Sequence, residues 1–265
     1  MNKNYLIIGN PVEHSLSPKI HNFWFNENNI NATYEKETLS EDKLENFVKR
    51  IKEGDISGAN VTVPFKQKII PFLDKLSDLA KKTQSVNTLY KEDDLVIGDN
   101  TDVYGFSQSI LNQNISLKNK DALIVGAGGV VPSVITALED LSIRKIYIKN
   151  RTKEKLLKLK KIFANTTPLE WDHEIDCDIV INATSLGLKP DDQINLNFDN
   201  LKNKIIFYDT IYNPPVTNFL KNAKEKGHVI INGKQMLLLQ AQKAFEIWTG
   251  INPKIDEKFL NYLND

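Results

Sequence analysis

The chain has 265 residues, 41% of them hydrophobic and 26% charged, which suits a globular protein with a sizeable core and excludes a disordered or fibrous chain. Lys plus Arg and Asp plus Glu number 34 each, so no net field draws the chain to nucleic acid or to an anionic membrane. No apolar run reaches the ~20 residues of a membrane span, and the opening MNKNYLIIGNP is too short in apolar residues for a signal peptide. A cytoplasmic location is the expectation.

The single cysteine, Cys177, excludes an internal disulfide framework. Its neighbours Asp176 and Asp178 would raise the thiol pKa, so a packed small residue is expected there rather than a nucleophile. The histidines, His14, His21, His173 and His228, form no pair at metal-ligand spacing with each other or with cysteine, and no metal is expected.

Short apolar runs alternate with helical patterns, the signature of α/β organisation. Tyr5–Ile8 reads as a strand, stopped by Gly9-Asn10-Pro11. Ser17-Pro18 reads as a helix start, with Ser17 at the N-cap and Pro18 first in the helix. Ile20, Phe23 and Trp24 then share a face. Thr33–Glu37 alternates as a strand. Ser40 opens a second helix, with Leu44, Phe47, Val48 and Ile51 at helical spacing. Gly58–Val63 reads as a buried strand ended by Pro64, and Leu95–Gly98 as another. Thr101–Leu111 reads as a helix able to bridge two domains.

The second half is more regular. Strands are expected at Ala122–Val125, Lys145–Ile148, Ile179–Ala183, Ile205–Asp209 and His228–Ile231. Helices are expected at Val131–Leu141, Lys153–Phe163, Thr217–Lys226 and Lys234–Thr249. This βαβ alternation predicts a parallel sheet with helices on both faces, a Rossmann-type domain. No Pro/Gly/Ser linker marks a border. Pattern alone places one domain at 1–101 with 237–265, and the other at 102–236.

Leu123-Ile124-Val125-Gly126-Ala127-Gly128-Gly129 puts glycines directly after a buried strand and before a helix. Such a turn lets a pyrophosphate approach bare N–H groups, and the helix N-terminus adds partial positive charge. Val131, followed by Pro132, stands where a third glycine is usual. At the end of the next strand, NAD enzymes usually carry an acid for the ribose hydroxyls. This chain has Lys149-Asn150-Arg151-Thr152 there. A guanidinium can fork onto a 2′-phosphate and stack on adenine, so NADP is favoured over NAD. Asn182-Ala183-Thr184-Ser185-Leu186-Gly187 follows another buried strand, where loops border a cofactor crevice.

The first half carries a second polar set: Ser15 and Ser17 at a helix start, Asn60, Thr62 and Lys66 around a strand end, Asn87 in Val86-Asn87-Thr88, and Asp102 in Gly98-Asp99-Asn100-Thr101-Asp102. Asn60 and Thr62 should point the same way, because strand side chains alternate. Reduction of a hydroxylated keto acid needs carboxylate donors, amides for hydroxyls and a proton source beside the carbonyl. A paired Lys and Asp would supply charge stabilisation and a proton route. Spacing alone does not establish that Lys66 and Asp102 meet.

These segments together resemble the shikimate dehydrogenase family along nearly the whole chain. The likeness runs in order through Gly9-Asn10-Pro11, His14–Pro18, Gly58–Lys66, Val86-Asn87-Thr88, Gly98–Asp102 with Gly105-Phe106, and Gly126–Gly129. It continues through Asn150-Arg151-Thr152, Asn182–Ser185, Tyr212-Asn213-Pro214 and Gln240-Ala241 with Trp248-Thr249-Gly250. The resemblance implies an N-terminal α/β substrate domain, a Rossmann-type NADP-binding domain, and C-terminal helices that return to the first. It implies NADPH-dependent, reversible reduction of 3-dehydroshikimate to shikimate on the route to aromatic amino acids.

By that likeness Ser15 and Ser17 hold the substrate carboxylate, with Thr62 nearby, and Asn60, Asn87, Asp102 and Gln240 hold ring hydroxyls. Lys66 is the catalytic residue, working with Asp102. Gly126, Ala127, Gly128 and Gly129 carry the pyrophosphate, and Asn150, Arg151, Thr152 and Lys155 the 2′-phosphate end. Thr184, Tyr212 and Gly233 lie near the nicotinamide or the substrate, Tyr212 on the substrate side. A small molecule is the expected partner, with no nucleic acid or membrane, and a monomer or homodimer as the assembly. The alternatives are a quinate/shikimate dehydrogenase using NAD, a non-catalytic sensor of shikimate-like ligands, and a folate-metabolising dehydrogenase.

Overall fold

The first strand, β1 (Lys3–Gly9), splits its residues between two layers. Leu6 and Ile8 join one apolar cluster, while Tyr5 and Ile7 face the other way. The computed structural model containing it describes residues 3–196 and 204–264. The chain divides into two compact units, Met1–Gly105 with Leu238–Asp265, and Phe106–Leu237.

In the first unit, β1 is followed by α1 (Ser17–Glu27), β2 (Ala32–Thr38), α2 (Leu44–Glu53), β3 (Gly58–Val61), β4 (Lys75–Leu76), α3 (Asp78–Thr83), β5 (Thr88–Glu92) and β6 (Leu95–Asp99). Helix α4 (Asp102–Leu111) carries the chain into the second unit. The sheet order is β2-β1-β3-β5-β6-β4, with β5 antiparallel to both neighbours and the remaining pairs parallel. Leu44, Phe47, Val48 and Ile51 of α2 pack with Leu6, Ile8, Ala59 and Val61, so the helical spacing read in the sequence is the buried face. Gly54 ends α2 in the left-handed region.

The second unit runs β7 (Asp121–Val125), α5 (Val131–Asp140), β8 (Lys145–Lys149), α6 (Lys153–Ile162), β9 (Thr166–Leu169), β10 (Ile179–Asn182), β11 (Ile206–Asp209), α7 (Asn218–Glu225) and β12 (Val229–Ile231). Its sheet is parallel throughout, in the order β12-β11-β10-β7-β8-β9. The direction of winding reverses between β7 and β10, as in a doubly wound nucleotide-binding sheet. Helix α8 (Lys234–Thr249) returns the chain to the first unit, which α9 (Glu257–Asn264) completes.

Several local expectations are corrected. Leu16, not Ser17, occupies the N-cap of α1, and Ser17 is its first helical residue. The Ser15 hydroxyl accepts the Ser17 N–H at 3.2 Å, so the serine that serves the helix start lies two residues earlier. Ser40 is extended and precedes a 3₁₀ turn, Glu41–Lys43, with α2 starting only at Leu44. Strand β3 stops at Val61 because the chain turns there, Phe65 N–H donating to the Thr62 carbonyl. The elements absent from the sequence reading are β4, α3, β5, β9 and α9. All are short or polar, and β9 carries Pro168, tolerated because β9 is an edge strand.

One face of the first sheet holds a cluster of aromatic rings. Tyr5 stacks on Phe25 and touches Trp248, and His21 lies flat against Tyr34 with centroids 4.4 Å apart. His21 is fully buried, and neither ring nitrogen has a hydrogen-bond partner. Burial pushes its pKa down to about 3 from 6.5. Between those values the unfolded chain binds a proton that the folded chain refuses, so stability is lost as pH falls through that window. Melting temperature should therefore drop on acidification from neutral to roughly pH 4, and His21→Phe should show a shallower drop. Identical slopes in the two proteins would refute this assignment.

Candidate active site

Strand β3 places Asn60 on the aromatic face, because Ala59 and Val61 on either side belong to the α2 cluster. A buried amide among rings must be paired. The Tyr34 hydroxyl donates to Asn60 Oδ1 at 2.6 Å, and Asn60 Nδ2 donates to the Asn87 carbonyl at 3.1 Å and to Thr88 Oγ1 at 3.3 Å.

Asn87 sits just before β5 and is the hub of the cluster. Its Oδ1 accepts the backbone N–H of Thr101 at 2.8 Å. A backbone N–H can only donate, so Nδ2 must face the other way, toward Asp102 Oδ1 at 3.0 Å, Thr101 Oγ1 at 2.9 Å and Gln240 Oε1 at 3.3 Å. Asp102 opens α4, and its second oxygen, Oδ2, accepts from Lys66 Nζ at 2.5 Å. The two side chains are only 12% and 7% exposed, so this is a largely desolvated ion pair. Lys66 lies in the loop after β3, tied to the sheet by its own carbonyl, which accepts the Val86 N–H at 2.8 Å.

The structure thus joins Asn60, Lys66, Asn87, Asp102 and Gln240 in one hydrogen-bonded chain. Ser17 is buried at the start of α1, and Ser15 is half-buried beside it. Thr62 is half-buried just beyond β3, its N–H donating to the Ile8 carbonyl. Tyr212, the remaining residue of the expected substrate set, belongs to the second unit, half-buried beyond β11. Thr88, Thr101 and Tyr34 were missed by sequence reasoning. The first two sit inside the quoted motifs, whereas Tyr34 lies in an ordinary alternating strand that carries no signal of its own.

In the second unit the expected cofactor residues lie in loops after the carboxyl ends of parallel strands, except Lys155, which lies in the first turn of α6. Gly126 follows β7 at the switch point, with φ +120°. A Cβ there would come 2.7 Å from the Ala183 carbonyl oxygen after β10, so only glycine lets the two loops meet. Ala127 and Gly129 are half-buried and Gly128 is exposed, directly before α5. After β8, Asn150 Nδ2 donates to the Thr152 carbonyl at 2.9 Å, Thr152 occupies the N-cap position of α6 without a side-chain capping bond, and Arg151 and Lys155 are exposed. The Thr184 N–H and hydroxyl both donate to Asn182 Oδ1, at 3.0 and 2.7 Å. Gly233 precedes α8 against the Thr210 carbonyl, where a Cβ would collide.

Behind these loops lies Asp209, fully buried at the end of β11. It accepts from Thr217 Oγ1 at 2.6 Å, Asn182 Nδ2 at 3.0 Å and the Ile211 N–H at 3.0 Å. Burial raises its pKa and those hydrogen bonds oppose the rise. Asp209 therefore orients the Asn182 amide, and Asn182 in turn orients Thr184. Cys177 is buried, and burial with the charges of Asp176 and Asp178 pushes its thiol up to about 12, which makes it inert.

These loops fit a dinucleotide phosphate. The approach over Gly128 is open and leads to the N-terminus of α5, no acid stands at the end of β8, and the exposed cations Arg151, Lys153 and Lys155 follow it.

Residues 7–89 match a family model described as the shikimate dehydrogenase substrate binding domain, and residues 107–190 match shikimate / quinate 5-dehydrogenase. A shikimate dehydrogenase (NADP(+)) of Pelagibacter ubique is 52% identical over 264 residues, spanning 100% of both chains. The chain belongs to the shikimate dehydrogenase family. The crystal structure of shikimate dehydrogenase from Aquifex aeolicus superposes with a TM-score of 0.90 at 35% identity, over 100% of this chain and 98% of that one. That of the Thermus thermophilus enzyme in complex with NADP(H) and shikimate gives 0.89 at 29% identity, over 99% and 98%.

The expectation that Arg151 forks onto the 2′-phosphate predicts that Arg151→Ala raises the KM for NADP+ about tenfold or more and leaves that for NAD+ nearly unchanged. Equal losses with both cofactors in steady-state assays would remove Arg151 from phosphate recognition.

Proposed function

We propose that this chain catalyses the reversible, NADPH-dependent reduction of 3-dehydroshikimate to shikimate, with Lys66 and Asp102 as its catalytic pair. The observation that carries the roles is the 2.5 Å contact between Lys66 Nζ and Asp102 Oδ2, withdrawn from solvent. The relatives named for this activity and the Thermus thermophilus complex with NADP(H) and shikimate support the reaction itself.

The carboxylate of Asp102 holds the Lys66 ammonium in place. NADPH, when bound, supplies the hydride to the ring carbonyl carbon. Lys66 stabilises the negative charge that develops on the carbonyl oxygen and delivers or relays a proton to it, and in the oxidative direction it takes that proton back. Asn87 holds the second Asp102 oxygen, so the carboxylate cannot swing away when Lys66 changes its proton. Ser15 and Ser17 hold the substrate carboxylate, with Thr62 beside them. Asn60, Asn87 and Gln240 bind ring hydroxyls, and Tyr212 also belongs to the substrate set.

Gly126, Ala127, Gly128 and Gly129 cradle the pyrophosphate. Asn150, Arg151, Thr152 and Lys155 take the adenosine 2′-phosphate, and Thr184 and Gly233 the nicotinamide end. In this reading residues 1–101 with 237–265 form the substrate domain and 102–236 the NADP domain. The enzyme works in the cytoplasm on a small acid, as a monomer or homodimer.

Purified protein should oxidise NADPH on addition of 3-dehydroshikimate, followed by loss of nicotinamide absorbance, and should do so faster than it oxidises NADH. Lys66→Met should cut kcat by about two to four orders of magnitude, with a much smaller change in KM for the acid. Turnover that survives this substitution would sink the role of Lys66.

A further inference from the structure

The Asn60 amide can be assigned atom by atom from its surroundings. The Asn87 backbone carbonyl only accepts, so it must face Nδ2, and it does so at 3.1 Å. The second Nδ2 proton goes to Thr88 Oγ1 at 3.3 Å. Oδ1 is thereby turned toward Tyr34, and the phenol must be the donor in their 2.6 Å contact. Both amide protons and one carbonyl lone pair are then spent inside the protein. A single lone pair on Oδ1 is left.

Tyr34 is not a neighbour of Asn60 in the sheet. It sits on β2, the outer strand, and β1 lies between it and β3. Its register partner is Tyr5, while that of Asn60 is Ile7, so the phenol reaches along and across the sheet to make the contact. Its ring is only 1% exposed and is held flat by His21, which is itself fully buried. The hydroxyl thus touches a residue assigned above to the ring hydroxyls of the substrate.

We propose that Tyr34 is a positioning residue of the substrate site: both Asn60 amide protons are spent on Asn87 and Thr88, and the Tyr34 hydroxyl fixes Oδ1, so that Asn60 meets a ring hydroxyl only as an acceptor. Asn60 then discriminates between substrate groups: it takes an O–H and rejects a group of similar size that cannot donate. The inference rests on the proposed substrate role of Asn60.

The test uses the full chain, shikimate and NADP+, with wild type, Tyr34→Phe, Asn60→Ala and the double variant. Tyr34→Phe keeps the ring against His21 and removes one hydroxyl. It should raise KM for shikimate about tenfold, with kcat and KM for NADP+ within about twofold of wild type. In the Asn60→Ala background the same change should add less than about twofold, because the two residues act as one unit. A second measurement needs no variant at Tyr34. Among shikimate analogues with one hydroxyl replaced by fluorine, which accepts but does not donate, one should bind wild type about tenfold more weakly than shikimate, and Asn60→Ala should abolish that difference.

An unchanged KM in Tyr34→Phe, fully additive losses, or analogues that all bind as well as shikimate would each overturn the inference. If wild type fails to reduce NADP+ with shikimate, the proposed function falls. If wild type is active and Tyr34→Phe behaves like it, only the role of Tyr34 falls.

Discussion

A lysine ammonium and an aspartate carboxylate that leave water together must be held together. Taking either charge from solvent alone costs several kcal/mol, and removing one partner of such a pair typically costs about 3–5 kcal/mol. Lys66 and Asp102 meet this demand through rigid backbone. Asp102 is fixed as the first residue of α4, and Lys66 by a hydrogen bond from Val86 to its carbonyl. The remaining Asp102 oxygen is held by Asn87, whose own orientation is set by the Thr101 N–H. Because a backbone donor cannot reverse its role, the Asn87 amide has one orientation, with Nδ2 facing Asp102 and Gln240 of α8.

The mixed sheet of the first unit brings these polar groups together. Antiparallel β5 lies between β3 and β6, which brings Asn60 opposite Thr88 and Thr88 opposite Asp99. The polar ends of three strands are thereby gathered beside the start of α4. The other face packs on α2 through an apolar cluster. The second unit solves a different problem. A wholly parallel sheet delivers the loops after β7, β8, β10, β11 and β12 to a single edge, and buried Asp209 cross-links two of them with the N-cap of α7. In the proposed reading, backbone N–H groups and exposed cations then carry the recognition of the dinucleotide.

Local physics was legible in the chain. The run Tyr5–Ile8, the α2 face and the helix Lys234–Thr249 follow from periodicity, and they appear where periodicity places them. The elements that escaped have weak local signals: β4 has two residues, α3 has six, and β9 contains a proline. Their structure comes from a neighbour strand or from burial rather than from propensity. Ser17 shows the limit of motif reading, since Ser-Pro predicts a cap but Ser15 and Leu16 take that part.

The sequence by itself determined the α/β character, the glycine turn after β7, the absence of an acid after β8, and the ordered motifs that mark the family. Only the tertiary structure decided that Lys66 reaches Asp102 across 36 positions, that Asn87 reaches Gln240 across 153, and that Tyr34 reaches Asn60 from two strands away. Periodicity and capping act within a few residues of chain, so they set elements. Contacts at such separations depend on sheet order and strand register, which emerge only when the apolar faces pack.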